Sequence, residues 1–462
     1  MSKFVRADGR VIHPQTSLTR EQKQAIGLLS IGTFLEYFDL LLYIHMAVLL
    51  NELFFPKTDP HTATLLSAAA FCSTYLLRPF GALIFGWIGD NIGRKVSVVI
   101  TTMMMAISCF VMANLPTFAQ IGITAAWLVT ICRIVQGMSS MGEITGAQLY
   151  LTEYLNPPGR YVSVALISLC ASIGGFAALA TASFVTSYGL NWRLAFWFGT
   201  AVALVGMGAR TTLRETPEFA DAKRRLNRTL HKSKNAGATV DLDHVMQDTL
   251  EVQEKASWKT AVSLLLVDNI WPVLFYFVYI HCANILKYSF SYTAEQIIHN
   301  NFIVSTVFLI NVSFVVYLSS KLHPLVILKM RLIVASIYFL VMPFLLNNAD
   351  TAFKILIVQS LGVLFACDAT PANAVFFKHF PVFKRFTYAS VIYAASRALV
   401  YLITSVSLVY LTEYFSQWGL YFITIPIIVG CVYGLSHFIK LEKDAGNYPQ
   451  RIPNVDFTAK AV

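Results

Sequence analysis

Long apolar runs alternate with short polar segments along almost the whole chain. Most runs are about 18 to 28 residues long, and a helix of that length crosses a hydrocarbon core of about 30 Å. They lack the period-two alternation of barrel strands, and only helices and closed barrels satisfy the backbone hydrogen bonds in lipid. We therefore predict an all-α integral membrane protein. Its twelve transmembrane spans, numbered in chain order, are residues 25–50, 62–88, 96–114, 121–149, 162–188, 194–208, 261–285, 297–319, 325–346, 352–377, 387–412 and 418–439.

One long polar segment divides the twelve spans into two groups of six. The connections after the fourth and tenth spans are similar, because each has a helix end, a proline turn and a basic–aromatic pair (Arg160 and Tyr161, then Arg385 and Phe386). Internal repeats of this kind are typical of transporters whose halves rock about a central site. We predict five parts: a cytoplasmic N-terminal segment 1–24, a six-helix half 25–209, a cytoplasmic linker 210–260, a second six-helix half 261–440 and a cytoplasmic tail 441–462.

The composition agrees with a membrane protein, since 56% of the residues are hydrophobic and 13% are charged, against roughly a quarter charged in soluble domains. Most of the 35 Lys and Arg residues lie at the termini, in the linker and in the connections after even-numbered spans. The positive-inside rule places these segments, and both termini, in the cytoplasm. The net charge of +10 is thus a topology signal, and its dispersal over short loops argues against a nucleic-acid partner. Residues 1–24 contain no cleavable apolar stretch, so we expect the first span to remain as a helix.

The sequence carries no pattern for enzymatic, metal or cofactor chemistry. All seven Cys residues fall within predicted spans and none has CxxC spacing, so neither a disulfide framework nor a zinc site is indicated. A phosphate-binding GxxxxGK[ST] loop and an HExxH motif are both absent from the sequence. We therefore expect neither an enzyme nor a transporter driven by ATP hydrolysis.

Ionisable side chains lie inside several predicted spans, where each costs several kcal/mol unless it is paired or hydrated. Glu36, Asp39 and Tyr43 are spaced three and four residues apart, which places them on one face of the first span. At about 1.5 Å per residue, Asp39, Arg133 and Arg397 all lie near the midplane of their spans. The other candidates are Arg78 in the second span, Gln136 and Glu143 in the fourth, and Asp368 in the tenth.

Such charges either form ion pairs that hold helices together or line a cavity. We expect a fixed ion pair between Asp368 and Arg397. The group in the first, second and fourth spans has more acids and arginines than one such ion pair needs, so we favour a cavity there. An arginine fork fits a carboxylate bidentately, and a carboxyl balanced between desolvation and a nearby arginine can load and release a proton.

Aromatic residues are plentiful, and most are expected to face lipid or to pack against neighbours. Those that line a cavity would hold a quaternary ammonium group by cation–π contact. The candidates are Tyr37, Phe38, Trp271, Tyr276 and Tyr279.

The connection between the second and third spans contains Gly86, Asp90, Gly93, Arg94 and Lys95. Their spacing resembles G-x-x-x-D-x-x-G-R-[KR], the signature loop of the major facilitator superfamily. In that family the loop stabilises a closed cytoplasmic gate, so the resemblance implies a gating role for these five residues. The corresponding loop of the second half, residues 317–323, lacks the Asp and the Gly-Arg pair, so the resemblance does not extend to symmetric gating.

Further motifs resemble the metabolite:proton symporters of this superfamily, over nearly the whole chain. The matching positions are Glu36, Asp39, Tyr43, Arg78, Gly81, Arg133, Gln136, Gly137, Gly142, Glu143, Gly146, Trp192, Arg193, Arg214, Phe219, Pro381 and Arg385. Members of that family import proline and betaine, 2-oxoglutarate, citrate, shikimate and related carboxylates into bacteria with protons. The resemblance implies twelve helices in two halves around a central cavity, and a functional monomer.

The buried charges and the resemblance together predict a proton-coupled symporter of the bacterial inner membrane. It would import a small carboxylate or zwitterionic metabolite by alternating access. The candidates for proton coupling are Glu36, Asp39, Arg133 and Glu143, and those for substrate binding are Arg78, Gln136, Tyr43 and Arg397. The alternatives are a facilitator or exchanger that uses no proton, and a non-transporting membrane sensor, which the incomplete second-half loop would favour.

Overall fold

The computed structural model of the chain describes residues 4–5, 11–12, 15, 17–56, 75–140, 144–211, 223–224 and 257–448. Within them the structure is helical except for an antiparallel pair of two-residue strands, Phe4–Val5 and Val11–Ile12, and the connecting loops. Eight of the described helical stretches are long and apolar enough to cross a membrane. The predicted all-α membrane architecture is therefore confirmed. The predicted linker 210–260 and tail 441–462 lie mostly outside the described residues.

Each span predicted for the first half falls on helix where the structure describes it, apart from single turn residues such as Gly122 in the fourth span. The second span is described from residue 75 onward. The helices are Arg20–Phe54 for the first span, Arg78–Asn91 for the second, Arg94–Asn114 for the third, Phe118–Ile121, Ile123–Ser139 and Ile144–Tyr154 for the fourth, Gly159–Ser187 for the fifth and Arg193–Arg210 for the sixth.

The second half follows the predicted order as well, with irregular turns in the seventh and tenth spans. The helices are Trp258–Asp268, Ile270–Phe275, a π-helical turn Tyr276–His281 and Cys282–Ser289 for the seventh span, Ala294–Ser319 for the eighth, Pro324–Asn347 for the ninth, Ala352–Leu364 and Asn373–Phe376 for the tenth, Arg385–Phe415 for the eleventh and Tyr421–Asp444 for the twelfth. Short 3-10 turns lie at Phe377–His379, Val382–Lys384 and Ser416–Leu420.

The tenth span is not the continuous helix that was predicted for residues 352–377. The helix ends at Leu364 and resumes at Asn373. Pro371 has no N–H to donate, and it disfavours helical backbone at the residue before it. In addition, the Thr370 N–H donates to Asp368 Oδ1 at 2.9 Å, a local bond that competes with the helical ladder. The break releases the carbonyls of Ala366 and Thr370 from helical hydrogen bonds, and the Thr370 and Asn373 side chains face the interior of the bundle.

The helices make contacts both within each half and between the two halves. The first span lies along the fifth and sixth, the third along the sixth, and the seventh along the twelfth. The two halves then contact each other where the fifth span packs on the eighth and the second packs on the eleventh. Large apolar side chains on the outer surface, such as Trp127 and Val205, are about two-thirds exposed, as expected for residues that face lipid.

Glycine permits the close packing of the first span on the fifth. A Cβ atom on Gly174 would collide with the Phe34 carbonyl oxygen, so any larger residue must push the two helices apart. Small residues at helix crossings serve this purpose in membrane bundles. By contrast, a Cβ atom on Gly27, in the same first span, would meet open space.

We expect Gly174→Ala to destabilise the protein by about 1–3 kcal/mol, because overpacking forces a backbone shift. The apparent melting temperature of purified protein in detergent measures this effect. Gly27→Ala is the matched control, and it should leave the melting temperature unchanged or raised, because alanine favours helix over glycine by about 1 kcal/mol. Equal melting temperatures for the two variants would contradict the packing argument.

Candidate functional site: a cavity between the two halves

A cavity of about 130 Å³ lies between the halves. It is of the order of the ~150 Å³ that holds a benzene-sized ligand in an engineered protein cavity, so it suits a small metabolite. Its wall combines aromatic rings with charged groups of both signs. The residues that contribute to the wall include Tyr37, Tyr75, Arg78, Gln148 and Ser168 from the first half and Asp268, Trp271, Phe275, Tyr279, Asp368, Thr370, Asn373, Tyr393, Arg397 and Tyr401 from the second.

Arg78 opens the described helix of the second span and reaches the cavity wall. Its guanidinium stacks 4.2 Å from the centre of the Tyr75 ring, and the residue is only 3% exposed. Nε and Nη2 have no hydrogen-bond partner among the described residues. A buried guanidinium with unused donors is costly, so this part of the wall is suited to receive an anion.

Arg397 is the second arginine of the cavity wall. It lies in the eleventh span over the Tyr393 ring, 3.4 Å from the ring centre, and donates to Ser396 Oγ at 2.8 Å. Its nearest carboxylate is that of Asp268 in the seventh span, with 4.0 Å between Nη1 and Oδ2. The two arginines therefore enter one cavity from the second and eleventh spans, each stacked on a tyrosine.

The predicted ion pair between Asp368 and Arg397 is wrong. Asp368 instead pairs with Arg331 of the ninth span at 3.2 Å. Arg331 also donates to the carbonyl oxygens of Ala366 and Thr370, which the break in the tenth span has released from helical bonding. The broken backbone supplies several acceptors at one place, and this explains why the neighbouring arginine, and not the more distant Arg397, binds Asp368.

The proton-coupling candidates of the first half form a separate buried cluster. Asp39 Oδ1 accepts a hydrogen bond from Cys109 Sγ at 2.8 Å. Arg133 stacks 4.0 Å from the centre of the Tyr43 ring and donates to Gln136 Oε1 at 2.8 Å. These residues are not among those that line the cavity.

Three further predictions about this region have different outcomes. Tyr43 and Gln136 were expected to bind substrate, but they support Arg133 from behind the cavity wall. Glu36 is buried in the first span, also away from the wall. Glu143 lies outside the described residues.

Among the aromatic candidates, Tyr37, Trp271 and Tyr279 line the cavity, whereas Phe38 and Tyr276 pack in the apolar core.

Among the described residues, three direct hydrogen bonds link the halves across the cavity. The Tyr37 and Tyr393 hydroxyls lie 3.0 Å apart. Asn373 Nδ2 donates to Gln148 Oε1 at 2.9 Å, and the Ser168 hydroxyl lies 3.0 Å from Thr370 Oγ1. The broken tenth span supplies the second-half partner in the last two bonds. These contacts are neutral, so separating the halves here costs less than separating an ion pair.

A charged cluster joins the halves at the end of the bundle that carries the signature loop. Arg94 is fully buried, and it binds Asp90 at 2.7 Å and Glu153 at 3.2 Å. It also donates to the Val382 carbonyl of the second half at 2.7 Å. Arg385 of the second half binds the same Glu153 at 3.2 Å. One carboxylate thus holds an arginine from each half, and the halves are closed on each other at this end.

Asp90 extends this closure to the start of the eleventh span. Its carboxylate accepts the Phe386 and Thr387 N–H groups, at 3.1 and 2.9 Å, and the Thr387 hydroxyl at 2.6 Å. A negative group is favourable at a helix N-terminus. Gly86 allows the approach, because a Cβ atom there would lie 2.8 Å from Thr387 Cα.

The other two signature-loop residues lie beside this cluster. Gly93 has an extended backbone before the third span, which Arg94 begins, and Lys95 is half-buried. The similarity between the connections after the fourth and tenth spans is also visible here. Arg160 donates to the Leu155 carbonyl at 2.8 Å, and Arg385 donates to the Phe380 carbonyl at 3.0 Å, each five residues earlier in the chain.

Asp268 and Arg331 are not among the site residues predicted from the sequence. Each is an ionisable residue within a predicted apolar span, so the criterion that selected Asp39 would also have selected them. The tyrosines beneath the arginines, Tyr75 and Tyr393, carry no comparable signal, because tyrosine is frequent throughout the chain.

We expect Glu153→Gln to weaken closure at the signature-loop end, because it leaves two buried arginines without their shared carboxylate. Removing one partner of a buried pair costs about 3–5 kcal/mol. Spin labels at the exposed residues Asn91 and Lys384, one in each half, should then report a longer distance. Glu442→Gln is the matched control, since Glu442 pairs with His379 inside the second half at 2.8 Å. The same distance change in both variants, or in neither, would refute the assignment.

Comparisons with known proteins agree with this architecture. The family model described as "Sugar (and other) transporter" matches residues 26–423. The inner membrane metabolite transport protein YhjE of Escherichia coli (strain K12) is 38% identical over 199 residues, covering 41% of this chain and 45% of YhjE. A proline/betaine transporter of Salmonella typhimurium (strain LT2) is 34% identical over 205 residues, covering 43% of this chain and 41% of that protein. The chain thus spans about half the length of these relatives.

A solved structure extends the likeness to the whole fold. The major facilitator superfamily proton:xylose symporter XylE, bound to 6-bromo-6-deoxy-D-glucose, superposes with a TM-score of 0.71 at 14% identity, covering 94% of this chain and 97% of XylE. Two halves of six helices around a central cavity agree with this likeness, and the predicted family is confirmed. The chain belongs to the family described as sugar (and other) transporters, and it has the fold of a solved major facilitator superfamily protein.

Proposed function

We propose that this transporter is a proton-coupled symporter that imports a small zwitterionic or carboxylate metabolite across the bacterial inner membrane. The halves 25–209 and 261–440 move about the cavity as units, with the linker 210–260 and both termini in the cytoplasm. In this assignment the signature-loop end is the cytoplasmic end. Its closure by Glu153 in the present structure corresponds to a state that has not yet released substrate inward.

The main support for this proposal is that Arg78 is buried with unused hydrogen-bond donors. It is a buried cation on the cavity wall, and two of its nitrogen atoms have no hydrogen-bond partner among the described residues. A substrate carboxylate would supply the missing acceptors, and bonds of this charge-assisted kind are stronger than neutral ones. The Tyr75 ring beneath the guanidinium holds its plane in place, so a carboxylate meets an arginine that is already oriented.

The rest of the wall favours a zwitterion over a dicarboxylate. Trp271, Phe275 and Tyr401 offer aromatic surfaces that attract a cationic group. Asp268 adds negative charge on the side of the second half, whereas the charge of Asp368 is balanced by Arg331. Relatives named as transporters of proline and betaine, or of glycine betaine, proline, ectoine and pipecolic acid, support the same substrate class.

Proton coupling requires a carboxyl whose charge depends on the state of the transport cycle. Asp39 satisfies this in the first half, because it is buried near Arg133 and a thiol is its hydrogen-bond donor. Asp268 satisfies it in the second half, because it lines the cavity and, among the residues that the structure describes, has one loose ion contact, with Arg397. When the substrate carboxylate bound at Arg78 also draws Arg397 toward it, Asp268 loses that contact and gains affinity for a proton. Substrate and proton would then bind together.

We expect Arg78→Gln to weaken substrate binding by about 10- to 100-fold, since hydrogen bonds to charged groups contribute about 1.5–3 kcal/mol. Uptake of radiolabelled proline, glycine betaine and 2-oxoglutarate into vesicles measures the effect. Arg193→Gln is the matched control, because Arg193 also stacks on an aromatic ring, Trp192 at 4.5 Å, but lies outside the cavity. Equal losses in both variants would contradict a substrate contact at Arg78.

We expect Asp39→Asn and Asp268→Asn to abolish accumulation driven by a pH gradient while substrate exchange continues, because an amide cannot carry the coupled proton. Asp350→Asn, at an exposed residue outside the cavity, should leave both activities intact. Uptake by the unmodified protein that a protonophore does not reduce would support a facilitator or exchanger instead. Substrate binding without any flux would support a sensor.

A further inference from the structure

A second concave surface lies on the outer face of the second half, away from the central cavity. It is a groove of about 730 Å³ between the ninth and twelfth spans, at the same end of the bundle as the Arg94 cluster. Its wall is mostly apolar, with Leu332 and Ile337 on one side and Val432 on the other, and Ile337 and Val432 are about half exposed. This face is open to the lipid and not to the path between the halves.

Charge is concentrated at one end of this groove. Lys329 lies in the second turn of the ninth span, while Lys440 and Lys443 lie in the last two turns of the twelfth. Asp444 is the one carboxylate among the described groove residues. Within the described part of the chain, none of the three ammonium groups forms an ion pair with a carboxylate, and Lys443 lies 5.9 Å from the Tyr448 ring centre. The groove therefore has a surplus of positive charge at the membrane surface.

The apolar wall has the length of one lipid leaflet. From Lys329 to Leu340 the ninth span rises about 16 Å at 1.5 Å per residue, and half of a 30 Å hydrocarbon core is about 15 Å. A water-soluble metabolite would gain nothing from a wall of this kind. A charged headgroup with an attached acyl chain matches both the basic end and the apolar length.

We propose that this groove binds one anionic phospholipid, with its phosphate among Lys329, Lys440 and Lys443 and an acyl chain along the ninth and twelfth spans. Basic pockets between helices on the cytoplasmic side bind acidic headgroups in other membrane proteins by this combination of charge and apolar contact. A lipid in this groove would contact the twelfth span, which packs on the seventh. Lipid binding in this groove is independent of the substrate and of the coupling ion.

The test compares lipid-dependent thermal stability of the full chain in detergent. Added phosphatidylglycerol should raise the melting temperature more than equal amounts of phosphatidylcholine do. In the variant Lys329→Gln with Lys440→Gln and Lys443→Gln, the concentration of phosphatidylglycerol that gives the half-maximal shift should rise tenfold or more, because each lysine near the surface contributes about a fivefold gain in affinity for anionic lipid.

Two matched triple variants separate site from net charge. The variant Lys23→Gln with Lys259→Gln and Lys384→Gln removes three exposed lysines at the same end but outside the groove, and it should keep the wild-type response. Replacing the three groove lysines by arginine should keep it as well. An equal loss in both glutamine variants, an equal shift with phosphatidylcholine, or the same shift with inorganic phosphate alone would overturn the proposal.

Discussion

A guanidinium or carboxylate inside a helical membrane bundle has lost most of its water, and other groups must replace that water. This constraint decides the arrangement of the buried charges in the transporter. Arg94 has no exposed surface and is fully served by Asp90, Glu153 and two backbone carbonyls. Arg78 is nearly as buried, yet two of its nitrogens find no partner in the described residues. The first arginine joins the two halves, whereas the second has donors left over, which is the basis of the substrate contact proposed for it.

The halves are joined by charged contacts at the signature-loop end and by neutral hydrogen bonds around the cavity. The charged contacts are the stronger ones, because buried charges that lose a partner have no water to replace it. At the signature-loop end the halves share a carboxylate between two arginines, and Asp90 accepts three hydrogen bonds from the start of the eleventh span. Around the cavity they share the neutral pairs of Gln148 with Asn373 and Ser168 with Thr370. A strong contact that breaks as a unit, beside weak contacts that exchange easily, suits a protein whose halves move about a central site.

The break in the tenth span links the backbone to the chemistry of the cavity. Pro371 interrupts the helix, and the released carbonyls of Ala366 and Thr370, together with Asp368, satisfy Arg331. Irregular backbone within the membrane is tolerated where protein groups or a cavity satisfy it. Here it places Thr370 and Asn373 at the contact between the halves, so the same irregularity serves both the cavity wall and the interface.

The sequence by itself determined the spans, the division into two halves, the signature loop and the presence of buried charge. These follow from local quantities, namely the length of apolar runs, the cost of an ionisable group in lipid and the spacing of a short motif. Only the tertiary structure decided which charges meet. Asp368 binds Arg331 and not Arg397, and Asp39 faces Cys109 and not the cavity. These pairings depend on distances between helices that are remote in the chain. They also depend on the break at Pro371, which supplies backbone acceptors that no spacing of charged residues reveals. The pairings therefore cannot be predicted from local sequence patterns.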